Sequence, residues 1–506
     1  MAKRYLWLLI LFLPLTVMAQ SKALKKADGL FSKFNFNKAL TQYYKLEAKG
    51  ESKYYVTRRI ADCYRLLNMP VMAAEWYEKA IAFPDVEAET YYHLGLSLRT
   101  LKRYDESEQY LNRYHTLTRS QPMRRGLSSE DYLLSLLADS GRVEIYSLAI
   151  NSNHSEFGPA VWNHNLVFSS NRPGNTIIQQ RDARNDMPFF NLYQAPLDTF
   201  NFTGVTSLFL PQIKSGLNDG PVCFSLDGQV MYITRNTPTN PDGMSELDIN
   251  ILRQKDGKWE KVLTSLPLKM KGFSIAHPSV SNDDQRFFFA SDMPGGYGGM
   301  DIYYSERKGG FLSQPVNLGP NINTPGNDVF PFISSDGKLF FASSGHPGLG
   351  GMDIYVALPE EDGFSEPFNL GPGINSSYDD FSFFLNEDRR TGYFASDRPG
   401  GMGYDDIYAF EFVKPLHYTE IEGVVKNKTT GQVESDVMIN VMKDDGTPIA
   451  SFQSDENGQF TIHLMRDMNY RFSFRKRLME PLEKTITPAQ LKDFSKLNLS
   501  IELVPR

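Results

Sequence analysis

The sequence predicts a multidomain chain of helical and all-β parts: an α-solenoid of repeats, then a β-propeller, then a small β-sandwich. Three observations support this prediction. A 34-residue period of small and aromatic residues runs through the first 120 residues, and a period of 52 to 57 residues runs from Gly158 to Ala409. The last part of the chain carries about seven short strand patterns separated by turn signals, as small β-sandwiches do.

Composition narrows the class of protein. The chain has 506 residues, of which 41% are hydrophobic, so several domains with well-packed cores are expected. Its formal net charge of −7 gives no sign of a nucleic-acid partner. The two cysteines, Cys63 and Cys223, fall in different predicted domains, which excludes a disulfide framework.

Residues 1–19 have the pattern of a cleaved secretory signal peptide. Lys3 and Arg4 give a positively charged start, an apolar run follows to Leu15, and Ala19 is a small residue at the cleavage point. A retained N-terminal anchor is the alternative. No later stretch reaches the roughly 18 apolar residues that a spanning helix needs. We therefore expect an exported mature chain without a transmembrane segment.

Residues 21–140 are predicted to be helical repeats. Phe36, Pro70 and Tyr104 are spaced by 34 residues, and so are several columns of small and aromatic residues. This period, with small residues at helix crossings and aromatic residues between helix pairs, resembles the tetratricopeptide repeat. Leucines in residues 129–140 predict one further helix, which would cap the array and begin at Ser128.

The first helices of stacked repeats would form a concave surface, which we predict to bind a partner. Arginines beside tyrosines on this surface could hold an acidic or extended peptide. A solvated helical face without a partner is the alternative. The candidate residues are Tyr55, Arg58, Asp62, Arg65, Tyr92 and Arg99.

Residues 143–414 are predicted to form the propeller. Each repeat carries short apolar runs joined by a turn such as Asp336-Gly337 and by a Gly/Pro loop, which makes four strands a repeat. Five copies predict five blades, or six if residues 143–150 help to complete another blade. Blade one has a long insertion, 175–190, with Arg181 and Arg184 as candidate contact residues.

The Gly-rich loops of these repeats are not phosphate-binding loops, because no GK[ST] motif and no helix follows them. Each loop ends in an aspartate that occupies the same position of the repeat. We interpret these aspartates as turn supports rather than metal ligands, with calcium as the less favoured alternative. The residues are Asp248, Asp301, Asp353 and Asp406. We predict no catalytic residues, no cofactor and no metal.

The pattern FASDRPGG…DIY resembles the TolB-like, WD-type propeller family over about 250 residues, most clearly in the last three copies. That resemblance implies an interaction platform or a gate on a peptidase. A gated peptidase needs an α/β-hydrolase domain with a G-x-S-x-G elbow, which this sequence lacks. Residues 417–506, with GVV…TTGQ…DENGQFTI, resemble the carboxypeptidase-regulatory-like sandwich, which implies a structural or docking module without catalytic residues.

The order of these segments resembles the periplasmic PorE-type proteins of the type IX secretion system of Bacteroidetes, without their OmpA-like C-terminal domain. The resemblance implies a non-enzymatic periplasmic scaffold associated with the outer membrane, in secretion or gliding machinery. Its partners would be envelope proteins, among them a PorP/SprF-type barrel. The alternative is an envelope propeller that binds a glycan or peptide in its central channel, or acts on it as an enzyme.

Overall fold

The computed structural model describes residues 21–120, 126–138, 140–173, 181–197, 205–237, 245–262, 272–309, 311–492 and 495–506. The predicted signal peptide, 1–19, lies outside these residues. The described chain forms two compact units. The first holds residues 21–86 with Ala183–Asn185, and the second holds Glu87–Asp182 with Asp186–Arg506.

The first unit is helical. Its helices are amphipathic, and small residues such as Ala39 and Ala73 are fully buried beside the large rings of Tyr43 and Tyr77. Ser21 caps the first helix, because its hydroxyl accepts a hydrogen bond from the Leu24 amide at 3.1 Å. The helices are α1 (Lys22–Ser32), α2 (Phe36–Glu47), α3 (Lys53–Leu66) and α4 (Pro70–Ile81).

The second unit begins with three helices, so the boundary between the units falls inside the segment that the 34-residue period predicted as one array. Gly95 allows two of these helices to approach, because a Cβ atom there would lie 2.7 Å from Leu111 Cγ. Ser128 caps the third by accepting from the Asp131 amide at 3.1 Å. The helices are α5 (Ala88–Thr100), α6 (Tyr104–Thr118) and α7 (Ser129–Leu137).

Five antiparallel sheets follow in the described part of the second unit. In each, alternating or fully apolar strands pair in sequence order, and the first strand of each repeat is innermost. Strand β1 (Val143–Ser147) belongs to the fifth sheet. The first sheet is β2 (Glu156–Trp162), β3 (Asn165–Ser170), β4 (Asn191–Pro196) and β5 (Ser207–Leu208); the second is β6 (Asp219–Phe224), β7 (Val230–Asn236), β8 (Leu247–Lys255) and β9 (Lys258–Lys261).

The remaining three sheets carry the clearer sequence repeats. The third sheet is β10 (Ile275–Val280), β11 (Arg286–Ser291), β12 (Asp301–Lys308), β13 (Phe311–Leu312) and β14 (Val316–Asn317). The fourth is β15 (Asp328–Ile333), β16 (Leu339–Ser343), β17 (Asp353–Ala357) and β20 (Phe368–Asn369), with a small ribbon of β18 (Pro359–Glu360) and β19 (Gly363–Phe364) beside it. The fifth is β21 (Asp380–Leu385), β22 (Thr391–Ser396), β23 (Asp406–Phe412) and β1.

The sheets close into a ring. The inner strands touch in the order β2, β6, β10, β15, β21, and β21 returns to β2. Backbone hydrogen bonds of 2.7 Å tie neighbouring sheets: Asp328 N to Met300 O, Asp380 N to Met352 O, and Glu156 N to Asp405 O. Because β1 pairs along β23, it completes the fifth sheet instead of contributing to a further one.

The C-terminal part of the second unit is a two-layer sandwich. Apolar residues alternate along its strands, and Ile421, Val441 and Phe472 are fully buried between the layers. One layer is β24 (Tyr418–Asn427) between β27 (Gln459–Met465) and the parallel β30 (Lys496–Leu503). The other is β25 (Met438–Lys443), β26 (Pro448–Gln453), β28 (Tyr470–Arg475) and β29 (Leu482–Ile486); the short helix α8 (Pro488–Leu491) precedes β30.

These elements confirm the coarse prediction of a β-rich chain of mixed helices and strands with a propeller-like part. Among the described residues, no helix is long and apolar enough to cross a membrane.

Candidate functional site

In the first unit, the residues predicted to form a peptide-binding groove make hydrogen bonds and ion pairs within that unit. Asp62 is only 5% exposed. It accepts a hydrogen bond from the Tyr77 hydroxyl at 2.7 Å, and Arg58 lies 3.6 Å from it. Tyr55 donates to Asp28 at 3.0 Å, and Arg65 donates to the Tyr77 hydroxyl at 3.2 Å. A buried carboxylate has to be paired in this way, so the expectation that Asp62 faces an external partner is wrong.

Tyr92 and Arg99, also predicted for the groove, lie on α5 of the second unit and serve contacts within the chain. The Tyr92 hydroxyl donates to the Ser344 carbonyl of the fourth sheet at 3.2 Å. Arg99 is 5% exposed and interacts with the charge of Asp353. A buried arginine cannot lie on an open binding face, so this part of the prediction is corrected as well.

The predicted contact loops are described in part. Arg181 donates to the Asp186 carbonyl at 2.6 Å and is exposed, so it holds its own loop together. Arg184 is exposed. Residues 175–180 of this insertion lie outside the described residues.

The aspartates predicted as turn supports accept backbone amides from the Gly-rich loops that precede them. Asp301 accepts from Tyr297 N at 2.6 Å, and Asp353 accepts from Leu349 N at 2.6 Å. Asp406 accepts from Met402 N at 2.8 Å. Asp248 differs, since its carboxylate accepts from the adjacent Ile249 amide at 2.9 Å. No group of three or more potential metal ligands occurs in the part of the chain that the structure describes.

Glycines of these loops make room for the carboxylates. A Cβ atom on Gly348 or Gly401 would overlap the Oδ2 atom of the aspartate that ends its loop. Gly350 and Gly403 are constrained on another side, because a Cβ atom there would overlap backbone carbonyls of the next sheet. The Gly-rich repeat therefore reflects close packing between sheets.

A second repeated motif escaped the sequence analysis. An Ile-Asn pair stands five residues before the acidic residue that opens an inner strand, in the segments INSNHSE, INTPGND and INSSYDD. Asn323 bonds both the amide and the carbonyl of Ile302, at 2.7 and 2.9 Å. Asn375 does the same with Ile354, and Asn151 with Ile407. The constant spacing was the signal that could have revealed these residues.

The acidic residues at the start of the inner strands are buried and mostly paired. Glu156 lies 3.0 Å from Arg172, Asp219 lies 2.7 Å from Arg235, and Asp380 lies 2.6 Å from Arg398. The fourth sheet departs from this pattern at Asp328. Burial raises the pKa of Asp328 to about 7, although the amide and hydroxyl of Thr324 both donate to it.

Each inner strand also carries a bulge with a left-handed residue. The pairing register shifts in all five innermost strands, at the same level of the ring. The residues with positive φ are Gly158, Gly220, His277, Phe330 and Ser382, with φ of 66°, 105°, 57°, 52° and 50°. Three of them are not glycine, and such a conformation costs roughly 1 kcal/mol or more each.

These bulges line a cavity of about 250 Å³ at the centre of the ring. Its wall receives residues from every inner strand, including prolines, the half-buried rings of Phe224, Phe332 and Phe384, and the exposed Asn282 and Glu387. The cavity thus combines flat apolar faces with a few polar groups, as ligand sites commonly do.

Aromatic rings fill the axis beside the cavity. Phe330 lies 6.1 Å from Phe157 and 5.2 Å from Phe381, so rings from three sheets meet. The His277 ring stacks on Phe330 with centroids 3.7 Å apart. Burial lowers the pKa of His277 to about 3, so the imidazole is neutral. Its Nδ1 atom accepts the Phe330 amide at 3.4 Å.

No protein-family profile and no curated protein matches this chain. Solved structures do. An α-L-arabinofuranosidase from Lactobacillus brevis is 12% identical, covers 60% of this chain and 95% of its own, and has a TM-score of 0.34. A family 117 glycoside hydrolase from Zobellia galactanivorans is 13% identical, covers 53% and 90%, and has a TM-score of 0.34. The C-terminal domain of the shaft pilin spaA from Lactobacillus rhamnosus GG is 13% identical, covers 18% and 98%, and has a TM-score of 0.15.

These matches correct the predicted function. Both of these hydrolases cover more than half of this chain, whereas the pilin domain covers 18% of it. The predicted non-enzymatic scaffold, and the prediction that the chain is not an enzyme, are therefore wrong and are not carried further. With TM-scores below 0.5, the similarity assigns neither a substrate nor a catalytic residue to this chain.

Proposed function

We propose that the central cavity of the ring binds a short glycan. The observation that carries this proposal is the repeated bulge, which brings the inner strands of all five sheets to one cavity of about 250 Å³. Ligand pockets typically hold roughly 300–1,000 Å³. A cavity just below that range suits one or two sugar rings or the end of a longer chain.

The cavity wall offers the two kinds of contact that sugars make. The rings of Phe224, Phe332 and Phe384 can pack against the apolar faces of a pyranose. The hydroxyl of Ser281, the amide of Asn282 and the carboxylate of Glu387 can exchange hydrogen bonds with sugar hydroxyls. Neutral His277 adds no cation to the wall, which favours a hydroxyl-rich ligand over an anionic one.

Backbone strain supports the same location. Left-handed residues other than glycine persist only when their surroundings hold them, and they cluster at functional sites. Here His277, Phe330 and Ser382 are held by cross-sheet contacts: the His277 amide donates to Thr234 at 3.0 Å, and Ser382 accepts from the Gly158 amide at 3.1 Å.

Binding can be tested with the full chain and a panel of disaccharides: cellobiose, maltose, xylobiose and chitobiose. A ligand that binds only the folded protein stabilises it by about 2.7 kcal/mol at 100 times its Kd. We expect at least one sugar to raise the melting temperature and to give a saturable calorimetric titration. No shift with any sugar at millimolar concentration would refute the proposal.

Matched double variants locate the site. Glu387→Gln with Asn282→Ala removes polar groups from the cavity wall, whereas Glu480→Gln with Asn498→Ala makes the same changes on exposed residues of the sandwich. We expect the first pair to weaken binding at least tenfold and the second pair to leave it unchanged. Equal binding by both would place the site elsewhere. Release of reducing ends from a bound sugar would extend the proposal from binding to hydrolysis.

Three finer assignments accompany this proposal. We infer that the five sheets are the blades of a propeller, that α1–α6 are tetratricopeptide-type repeats, and that the chain acts in the periplasm. The ring of four-stranded sheets supports the first. The 34-residue spacing of the starts of α2, α4 and α6 supports the second. The signal-peptide pattern of residues 1–19 supports the third. The resemblance to PorE-type proteins is supported by the order of the segments alone, and so is the inferred barrel partner.

A further inference from the structure

Three equivalent loops of the ring differ in what covers them. Loop 3 (residues 294–299), loop 4 (residues 347–351) and loop 5 (residues 399–404) are the Gly-rich loops that end in Asp301, Asp353 and Asp406. Counted back from those aspartates, Tyr297, Leu349 and Met402 occupy the same position. Leu349 is 3% exposed, whereas Tyr297 is 49% and Met402 is 62% exposed.

Loop 4 is covered by helices of the same chain. Three tyrosine hydroxyls donate to carbonyls of this loop and its approach: Tyr92 to Ser344 at 3.2 Å, Tyr104 to Leu349 at 3.3 Å, and Tyr132 to Pro347 at 3.1 Å. The three tyrosines lie on α5, α6 and α7. Arg99 adds a positive charge near Asp353. Loop 4 therefore shows how helices can bind a loop of this kind.

Loop 5 has an equivalent backbone, and among the described residues no helix covers it as α5–α7 cover loop 4. Met402 and Tyr404, two residues apart, are 62% and 60% exposed. The Oδ1 atom of buried Asp406 has no hydrogen-bond partner among the described residues. Asp353 accepts from Asn369 on β20 at 2.6 Å. The fifth sheet has β1 in that place, where Ser147 stands opposite Tyr408.

We propose that loop 5 is a docking site for a helix of another protein, and that this helix presents tyrosine hydroxyls and an arginine. The helix would cover Met402 and Tyr404 with apolar side chains and donate hydroxyls to loop carbonyls. Its guanidinium would lie near the half-buried carboxylate of Asp405, at the edge of loop 5, much as Arg99 lies near the charge of Asp353. The proposal is independent of glycan binding in the central cavity.

Two features favour a helix over other occupants. Loops 4 and 5 belong to neighbouring sheets, since β15 contacts β21, and Gly350 of loop 4 packs against the carbonyls of Ser376 and Tyr378 in the segment that leads into β21. Loop 4, which α5–α7 bind, therefore lies directly beside the fifth sheet. The second feature is loop 4 itself, because helices already bind the equivalent backbone there through the hydroxyls of Tyr92, Tyr104 and Tyr132.

The chain provides its own probe. A fluorescein-labelled peptide of residues 87–119, carrying Tyr92, Arg99 and Tyr104 and cross-linked to hold the α5–α6 hairpin, can be titrated into the full-length protein by anisotropy. Circular dichroism first establishes that the peptide is helical. We expect saturable binding that weakens at least tenfold in the variant Met402→Ser with Tyr404→Ser.

Two controls make the result decisive. Leu226→Ser changes an equally exposed apolar residue in a hairpin of the second sheet, and it should leave binding unchanged. A peptide with Tyr92→Phe, Tyr104→Phe and Arg99→Gln keeps the helix and removes the polar contacts, so it should bind at least tenfold more weakly. No binding of a helical peptide, equal binding by the loop 5 variant, or equal binding of the altered peptide would each overturn the proposal.

Discussion

Loops 4 and 5 have nearly the same sequence and different surroundings. HPGLGGMD and RPGGMGYDD both fold back on the aspartate that opens the third strand of their sheet. In the fourth sheet, helices bury the loop and an asparagine completes the aspartate's hydrogen bonds. In the fifth sheet the loop is exposed and one carboxylate oxygen of Asp406 is left without a partner among the described residues. The repeated sequence therefore determines the backbone conformation of the loop, while the elements packed against it determine whether the loop is exposed.

The largest expected effect is at the aspartates. Asp353→Ala leaves two loop amides and the Asn369 amide without their acceptor. Each buried donor left unsatisfied costs about 1–3 kcal/mol, so we expect a loss of roughly 4 kcal/mol in the free energy of unfolding. Asp406→Ala should cost clearly less. Urea denaturation with and without a chelator measures both; a loss seen only in calcium-loaded protein would mean that Asp353 binds metal.

The apolar residues of the two loops give the next contrast. Leu349→Ala removes a side chain that α5–α7 and the loop enclose, and such changes cost about 2–5 kcal/mol. Met402→Ala removes an exposed side chain and should change stability by less than about 0.5 kcal/mol. Comparable losses at the two positions would show that loop 5 is also covered in solution.

A third contrast concerns pH. Asp328 opens the fourth sheet without an arginine, whereas Asp380 of the fifth sheet pairs with Arg398. Because burial raises the pKa of Asp328 from 3.8 to about 7, the folded protein binds a proton that the unfolded chain releases. This contribution to stability is complete below pH 3.8 and is lost as the pH rises through about 7. Part of the contribution is already lost at pH 5, so Asp328→Asn should raise the melting temperature at pH 8 and raise it by less at pH 5.

Asp380→Asn is the control for that experiment. It removes a carboxylate that accepts from Arg398 at 2.6 Å, and the buried guanidinium is then left uncompensated. We expect destabilisation at both pH values. An Asp380→Asn variant that behaves like Asp328→Asn would show that the arginine does not distinguish the two sheets.

The smallest effect tests the tyrosine hydroxyls. Tyr104→Phe removes the hydrogen bond to the Leu349 carbonyl at 3.3 Å and should cost about 1 kcal/mol. Tyr404→Phe, on exposed loop 5, should cost nothing measurable. Thermal unfolding followed by circular dichroism resolves this difference if both proteins are compared in one buffer.

Local patterns were predicted well from the sequence, and non-local placement was not. The period of 34 residues located the starts of α2, α4 and α6, because each depends on its own apolar face. The same period could not show that α5 belongs with the sheets, since that depends on Tyr92 meeting Ser344 more than 200 residues later.

The burial of Asp62 and Arg99 could not be predicted for a related reason. Arginines and tyrosines on one helical face look like a binding surface in a sequence, but the partner of Arg58 is Asp62 of the same helix, and Asp62 is buried. The bulges were missed because Gly158, His277 and Ser382 share a backbone conformation and no side-chain type. Only the geometry of the ring brings these residues to one cavity.

The pairing of β1 with β23 has a consequence for folding during synthesis of the chain. Val143 pairs with Phe412, so an early strand must wait until the whole ring has been synthesised. Each of the other four sheets of the ring pairs strands that are close in sequence and can form as it emerges. Until β23 arrives, β1 and the open side of the fifth sheet expose unpaired edges, which are sites of aggregation. Any chaperone that protects the nascent chain has to do so over this interval.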